Sequence, residues 1–324
     1  MNRLLAFLGG HATWVLFIGV FLGLALPDLA SLARPLLAPA VAVLLTATLV
    51  RVDWQVLLAH ARRPWVTTLV TAWLLIGSPL LMAGLMAGLS VFDALPTSLM
   101  TALVLMAAAP PILSAAPIAI ILGLDGALAL VVALAATLLT PFTVPPLALA
   151  LLGLELDIGV IDFMLRLSVI VAASFLLAFV IRRIIGRERL PRVAAHIDGS
   201  VVVVMLIFAV AIMDGVTATL LTQPAKVGLW LLTAFIANPA LQLAGALVFF
   251  WLGRRRALTV GLVSGNCNMG LLLAAFPAGT DLDVVLYFAV AQLPMYMLPA
   301  VLLPIYRRLV RQPEEPESRS IRSG

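Results

Sequence analysis

Apolar runs of about 20 residues follow one another along almost the whole chain, each long enough to cross a bilayer's hydrocarbon core as a helix. Nothing else constrains the fold as strongly. In lipid, every backbone N–H and C=O must find its partner inside the protein, so spanning segments are helices or closed barrels. Runs of this length are those of helices. Composition agrees: of 324 residues, 63% are hydrophobic and 11% charged, where soluble domains carry about 25% charged residues. No stretch is long and polar enough for a separate soluble domain. The tail, 311–324, is charged, polar and without aromatics, and reads as disordered. The opening MNRLLAFLGGHATWVLF is not read as a secretory signal, because its apolar character continues past Gly9 and Gly10 with no small-residue cleavage site.

Ten spans fit the runs: 12–30, 35–50, 65–89, 95–123, 126–152, 160–184, 199–221, 226–252, 257–277 and 283–306. Basic residues then orient them. Arg51, Arg62 and Arg63, then Arg182, Arg183, Arg187, Arg189 and Arg192, then Arg254, Arg255 and Arg256, and finally Arg307, Arg308 and Arg311 all fall on the side of Arg3. The opposite side carries Asp28, Asp93, Glu155, Asp157, Asp281 and Asp283. Positive-inside orientation places both termini in the cytoplasm and the protein in the cell's inner (plasma) membrane. The pI of about 10.3 is therefore a topology signal. A nucleic-acid partner would need a basic groove on a soluble face. RVDWQVLLAHARRPW reads as an interfacial helix. His11, His60 and His196 are scattered and Cys267 is the only cysteine, so neither a metal cluster nor an intramolecular disulfide is expected.

Two spans are interrupted. Residues 105–123, LMAAAPPILSAAPIAIILG, contain Pro110, Pro111 and Pro117. Residues 257–277, ALTVGLVSGNCNMGLLLAAFP, place Ser264, Gly265, Asn266, Cys267, Asn268, Met269 and Gly270 at mid-span. Each interrupted span is the fourth in a set of five. Each is followed by a proline-marked fifth, with Pro141, Pro145 and Pro146 in the first set and Pro294 and Pro299 in the second. Five is odd, so the second set runs inverted relative to the first. Paired broken helices in an inverted repeat mark a transporter's binding site. The expected fold is an all-α polytopic membrane protein, with repeat 1 over 1–152, repeat 2 over 153–310, and the two broken helices crossed.

Broken helices leave half-helix ends and freed carbonyls, which bind solutes and ions. The candidate substrate-binding residues are Ser114, Pro117, Thr137, Ser264, Asn266, Cys267, Asn268, Gln292 and Tyr296. Thr140 stands near Thr137, although membrane threonines often bond their own backbone. Asp214 and Asp125 are the candidates for proton coupling; the competing role of Asp125 is a helix N-cap, and Asp214 could reach the interface. Asn238 and Gln242, one turn apart, suit an interhelical hydrogen bond. Gly19 with Gly23, and Gly84 with Gly88, are small-residue packing faces. No nucleophile with a base and no phosphate-binding loop is present, so an enzyme is not expected.

At the two breaks the chain resembles the bile acid:sodium symporter superfamily. VFLGLALPDLA, LLAPAVAVLLTATLVRVDWQVLLAHARRP, AAAPPILSAAPIAIILGLDGALAL, ATLLTP and GRRRALTVGLVSGNCNMGLLLA carry the likeness. It implies a panel of spans 1, 2, 6 and 7, a core of spans 3–5 and 8–10, and alternating-access transport of a small organic anion. It also implies sodium sites, but the residues aligned with that family's ligands are Ala115, Ala116, Ala129, Ala133 and Val263, which offer no side-chain oxygen. Cys267 stands at the family's ninth-span Gln, whereas Asn268 and Gly270 match. The expectation is a carrier without the usual sodium coupling and without an organic cofactor; its partners are the solute and the bilayer. The alternatives are a sodium-independent carrier like the auxin-efflux carriers, and an uncoupled channel or non-transporting sensor.

Overall fold

The computed structural model describes residues 12–52, 64–90, 95–153, 159–186, 189–276 and 280–310. Among them the regular structure is helical, apart from one isolated bridge. The first half holds α1 (Ala12–Ala25), α2 (Pro27–Ala33), α3 (Leu37–Arg51), α4 (Pro64–Ala72), α5 (Ser78–Ser90), α6 (Thr97–Ala108), α7 (Ala115–Ile121) and α8 (Gly126–Leu152). The second holds α9 (Val160–Ile185), α10 (Leu190–Ala211), α11 (Val216–Thr222), α12 (Pro224–Val248), α13 (Arg254–Gly265), α14 (Met269–Ala275), α15 (Leu282–Val290) and α16 (Gln292–Val310). A π-helical turn, Trp73–Gly77, joins α4 to α5.

Seven helical stretches are long and apolar enough to cross a membrane, the pattern of a multi-pass membrane protein. Three expected spans fall outside this group for identifiable reasons. Spans 95–123 and 257–277 are cut into the short pairs α6/α7 and α13/α14, and α1 has 14 described residues. Two boundaries also differ from expectation. The first span ends at Ala25, because Pro27 opens a new helix, where its missing N–H costs nothing. The seventh begins at Leu190 and is interrupted at residues 212–215, where Gly215 takes φ 78° in the left-handed region.

The helices pack in two sets. In one, α10 lies against α1, α2 and α3, and α3 lies against α9. In the other, α12 pairs with α13, α6 with α5 and α15, and α8 with α4, α7 and α13. The two sets also meet: α8 lies along α9, and α14 reaches across to α3 and α9. Gly19 and Gly23 allow the α1–α10 approach: a Cβ on Gly19 would lie 2.6 Å from the Ala209 Cβ, and one on Gly23 2.8 Å from the Val210 carbonyl oxygen. Gly84 and Gly88, expected to pack likewise, have nothing within 4 Å.

Charged side chains tie the helix ends. Arg182 donates to the carbonyls of Val50 and Val52 at 2.6 and 2.7 Å, and Arg255 to that of Leu124 at 2.9 Å. Elsewhere Lys226 meets Asp283 at 2.6 Å, while the Trp230 indole donates to the Asp283 carbonyl. The interfacial segment 53–63, the tail 311–324, His11, Arg3, Asp93, Glu155, Asp157 and Arg187 lie outside the described residues.

Candidate functional site: two paired helix breaks and a cavity

The first break follows from steric rules. A residue before proline is pushed out of the helical region, and Ala109, before Pro110, ends α6 with φ −66° and ψ 139°. Pro110 and Pro111 prolong the extended segment. Pro117 is the third residue of α7, inside the first turn, where a missing N–H breaks no bond. The second break uses polar side chains instead. Asn266 and Asn268 leave the helical region, with ψ of 68° at each, and the Asn268 Oδ1 caps α14 by accepting from the Leu271 N–H at 3.1 Å.

The breaks pair with each other. Pro111 and Cys267 form an antiparallel bridge, flanked by Ile112 N–H to the Asn266 carbonyl at 2.9 Å and Asn268 N–H to the Pro110 carbonyl at 2.6 Å. The ladder asks for donors only at 112 and 268, so prolines at 110 and 111 cost it nothing. Each break thus satisfies one backbone donor and one backbone acceptor of the other, in a region where an unmet group costs several kcal/mol.

Side chains complete this satisfaction. The Asn238 Nδ2 donates to the Gly265 carbonyl at 2.8 Å, the Gln242 Nε2 to the Asn238 Oδ1 at 2.7 Å, and the Tyr306 hydroxyl to the Gln242 Oε1 at 2.6 Å. Asn238 and Gln242, expected to bond to another helix, each do so, and their own bond within α12 links a relay from α16 through α12 to the α13 break. Ser264 donates to the Val260 carbonyl and accepts from the Trp73 indole at 3.0 Å. Trp73 is placed by the π-turn, its ring lying over Gly77, where a Cβ would sit 2.6 Å from it.

Beside the paired breaks lies a cavity of about 110 Å³. Its polar wall is Thr48, Ser114, Asn268, Gln292 and Tyr296. Its apolar wall comes from Val41, Leu44 and Leu45 of α3, Ile112 and Leu113 of the first break, Phe208 of α10 and Met295 of α16. Gly270 also lines it; a Cβ there would touch the Phe208 ring at 3.0 Å.

Of the nine expected binding residues, Ser114, Asn268, Gln292 and Tyr296 line this cavity. The others lie elsewhere. Pro117 is exposed on α7. Thr137 is fully buried, donating to the Ala133 carbonyl at 2.7 Å, and Thr140 donates likewise to that of Ala136. Ser264, Asn266 and Cys267 are buried inside the break: Asn266 Nδ2 donates to the Leu262 carbonyl, Cys267 Sγ–H to that of Ser264, and the Asn266 Oδ1 has no partner. Sequence reasoning missed Thr48 and the apolar wall.

Neither proton-coupling candidate lines the cavity. Asp214 sits in the turn between α10 and α11, accepting from the Ser31 hydroxyl at 2.7 Å and pairing with Arg34 at 3.2 Å. Asp125 caps α8, accepting from the Leu128 N–H at 3.0 Å, with the Arg256 Nε at 3.8 Å. Ala115, Ala116, Ala129, Ala133 and Val263 are all buried. Among the described residues, no group of three or more His, Cys, Asp or Glu side chains is arranged to hold a metal. Compared with known proteins, the chain matches no family model, and no curated protein aligns with it significantly.

Proposed function

We propose that the chain is a secondary carrier moving a small organic anion across the cell's inner membrane by alternating access. It is a divergent relative of the bile acid:sodium symporters, without their sodium coupling. In this reading the ten spans are the seven long helices together with α1, α6/α7 and α13/α14, in two inverted repeats over 1–152 and 153–310. The two packing sets supply the panel (spans 1, 2, 6 and 7) and the core (spans 3–5 and 8–10), and both termini face the cytoplasm. The observation that carries the reading is the antiparallel pairing of the two breaks beside a cavity lined by both sets. A site between two bodies is reached from either side when one moves against the other.

Two features support independence from sodium. The five aligned ligand positions carry buried methyl groups, and the Gly265 carbonyl freed by the second break is taken by the Asn238 amide. The same two features suit a sodium-independent carrier of the auxin-efflux kind; no particular observation favours a channel or a sensor.

Thermal stability of the purified protein in detergent, over a panel of small organic acids with and without sodium, tests the reading. Binding to the folded state raises apparent stability by mass action. The expected result is stabilisation by an acid, indifferent to sodium, and lost when Thr48→Trp or Leu44→Phe fills the cavity. Sodium-dependent stabilisation, or stabilisation that survives both fillings, overturns it.

A further inference from the structure

Among the described residues, the cavity's polar wall contains no charged group. Thr48, Ser114, Asn268, Gln292 and Tyr296 are all neutral, and Tyr296 is the only titratable side chain among the described lining residues. Charged residues on the elements that line it are not among the described lining residues. Arg51 ends α3 one turn beyond Thr48, and Arg307 and Arg308 lie in the last turn of α16. Asp198, His196 and Arg192 precede Phe208 on α10 by ten or more residues, at least about 15 Å of helix. Asp214 is paired with Arg34, and Lys226 with Asp283. A carboxylate entering this cavity would lose water and meet no countercharge among the described lining residues, an unfavourable exchange.

The hydrogen-bonding capacity of the wall points the same way. Asn268 uses its Oδ1 to cap α14, which leaves its NH₂ to donate. Gln292 donates one Nε2 hydrogen to the Phe288 carbonyl at 3.2 Å, which leaves its second N–H to donate and its Oε1 to accept. Thr48 donates to the Leu44 carbonyl at 2.9 Å, so its oxygen also accepts. A carboxylate only accepts, and would leave the acceptor oxygens of Gln292 and Thr48 unmatched. A protonated carboxylic acid carries one O–H donor and a carbonyl acceptor, and meets both kinds of partner.

We propose that the cavity binds its organic acid in the protonated, uncharged form, so that the coupling proton travels on the solute. This inference rests on the carrier reading. On one side of the membrane a carboxylate takes a proton from water and enters as the acid. On the other it is released and returns the proton to water. One proton crosses with each carboxylate, no net charge moves, and no protein carboxylate is needed. The cavity, somewhat smaller than the roughly 150 Å³ that accommodates benzene, suits an acid of about butyrate size.

Binding of butyrate, butyramide and propane-1-sulfonate to the full-length protein in detergent, measured calorimetrically from pH 5 to 8, tests this. Butyramide is expected to bind equally at every pH, and the sulfonate not to bind. Butyrate is expected to weaken about tenfold per unit between pH 6 and 8, following its own ionisation. The Thr48→Trp and Leu44→Phe fillings are expected to abolish binding of both butyramide and butyrate. Sulfonate binding as tight as that of butyramide, or butyrate binding flat with pH, overturns the neutral form and leaves the carrier reading standing. Silence of all three probes at every pH, or butyramide binding that survives both fillings, overturns this inference; the acid panel with and without sodium then decides the carrier reading separately.

Discussion

Truncating Asn238 to alanine tests whether the α12 relay holds the second break in place. The side chain makes two bonds: its Nδ2 to the Gly265 carbonyl and its Oδ1 from the Gln242 Nε2. Gly265 keeps one donor, the Cys267 N–H at 3.1 Å, so it loses about 1 kcal/mol, whereas the buried Gln242 amide loses its acceptor at about 1–3 kcal/mol. The sum, about 2–4 kcal/mol, lowers the apparent melting point by about 4–8 °C at roughly 2 °C per kcal/mol. Cys267 is the reporter: it is the chain's single cysteine, buried at 1% exposure within the break itself. A fluorogenic maleimide reacts with it only when the break opens, and the temperature of half-labelling reads stability where it matters. Tyr306→Phe removes one hydroxyl from the other end of Gln242 and is expected to cost less, about 1–2 kcal/mol. Because both changes act on Gln242, the double variant is expected to be non-additive. Labelling of Asn238→Ala at the wild-type temperature, or strict additivity in the double variant, would refute the relay.

Four further outcomes are expected. Gly261→Ala places a Cβ 2.4 Å from the backbone oxygen of Gln242 and forces α12 and α13 apart, so Cys267 labels at markedly lower temperature. Gly84→Ala has nothing within 4 Å and gains up to about 1 kcal/mol of helix propensity, so labelling is unchanged or delayed. Trp73→Phe removes the donor to Ser264 and costs about 0.5–1.5 kcal/mol, read by the same label. Asp214→Asn breaks a partly exposed pair with Arg34, with side chains 25% and 39% accessible, so it costs at most about 1 kcal/mol. It also leaves the pH dependence of butyrate binding intact; a flattened profile would make Asp214 the coupling group.

What the sequence made legible was what backbone chemistry dictates. Prolines at 110 and 111 end a membrane helix and leave backbone groups that need partners, and the Asn266–Asn268 break meets two of them, the Pro110 carbonyl and the Ile112 N–H. Which way each polar side chain points was much less legible. Ser264, Asn266, Cys267 and Asn268 fall within five residues, yet only Asn268 lines the cavity, because the other three donate to backbone carbonyls inside the protein. Thr46 and Thr48 are equally alike in sequence. Two residues turn a helix by about 200°, so Thr46 faces the Ser174 carbonyl while Thr48 faces the cavity. The apolar wall was the least legible of all. In a soluble protein a stripe of leucines signals the buried face, but in a membrane lipid is as apolar as the interior. Val41, Leu44 and Leu45 line the cavity, whereas Val43 of the same helix is exposed, and no hydropathy pattern separates them. The sequence feature that does bear on the cavity is the lack of a charged residue in the intervals that build it, 41–48, 112–114 and 268–270. On the proposed reading, that lack limits the solute to an uncharged form, and the proton would ride on the solute in place of a protein carboxylate.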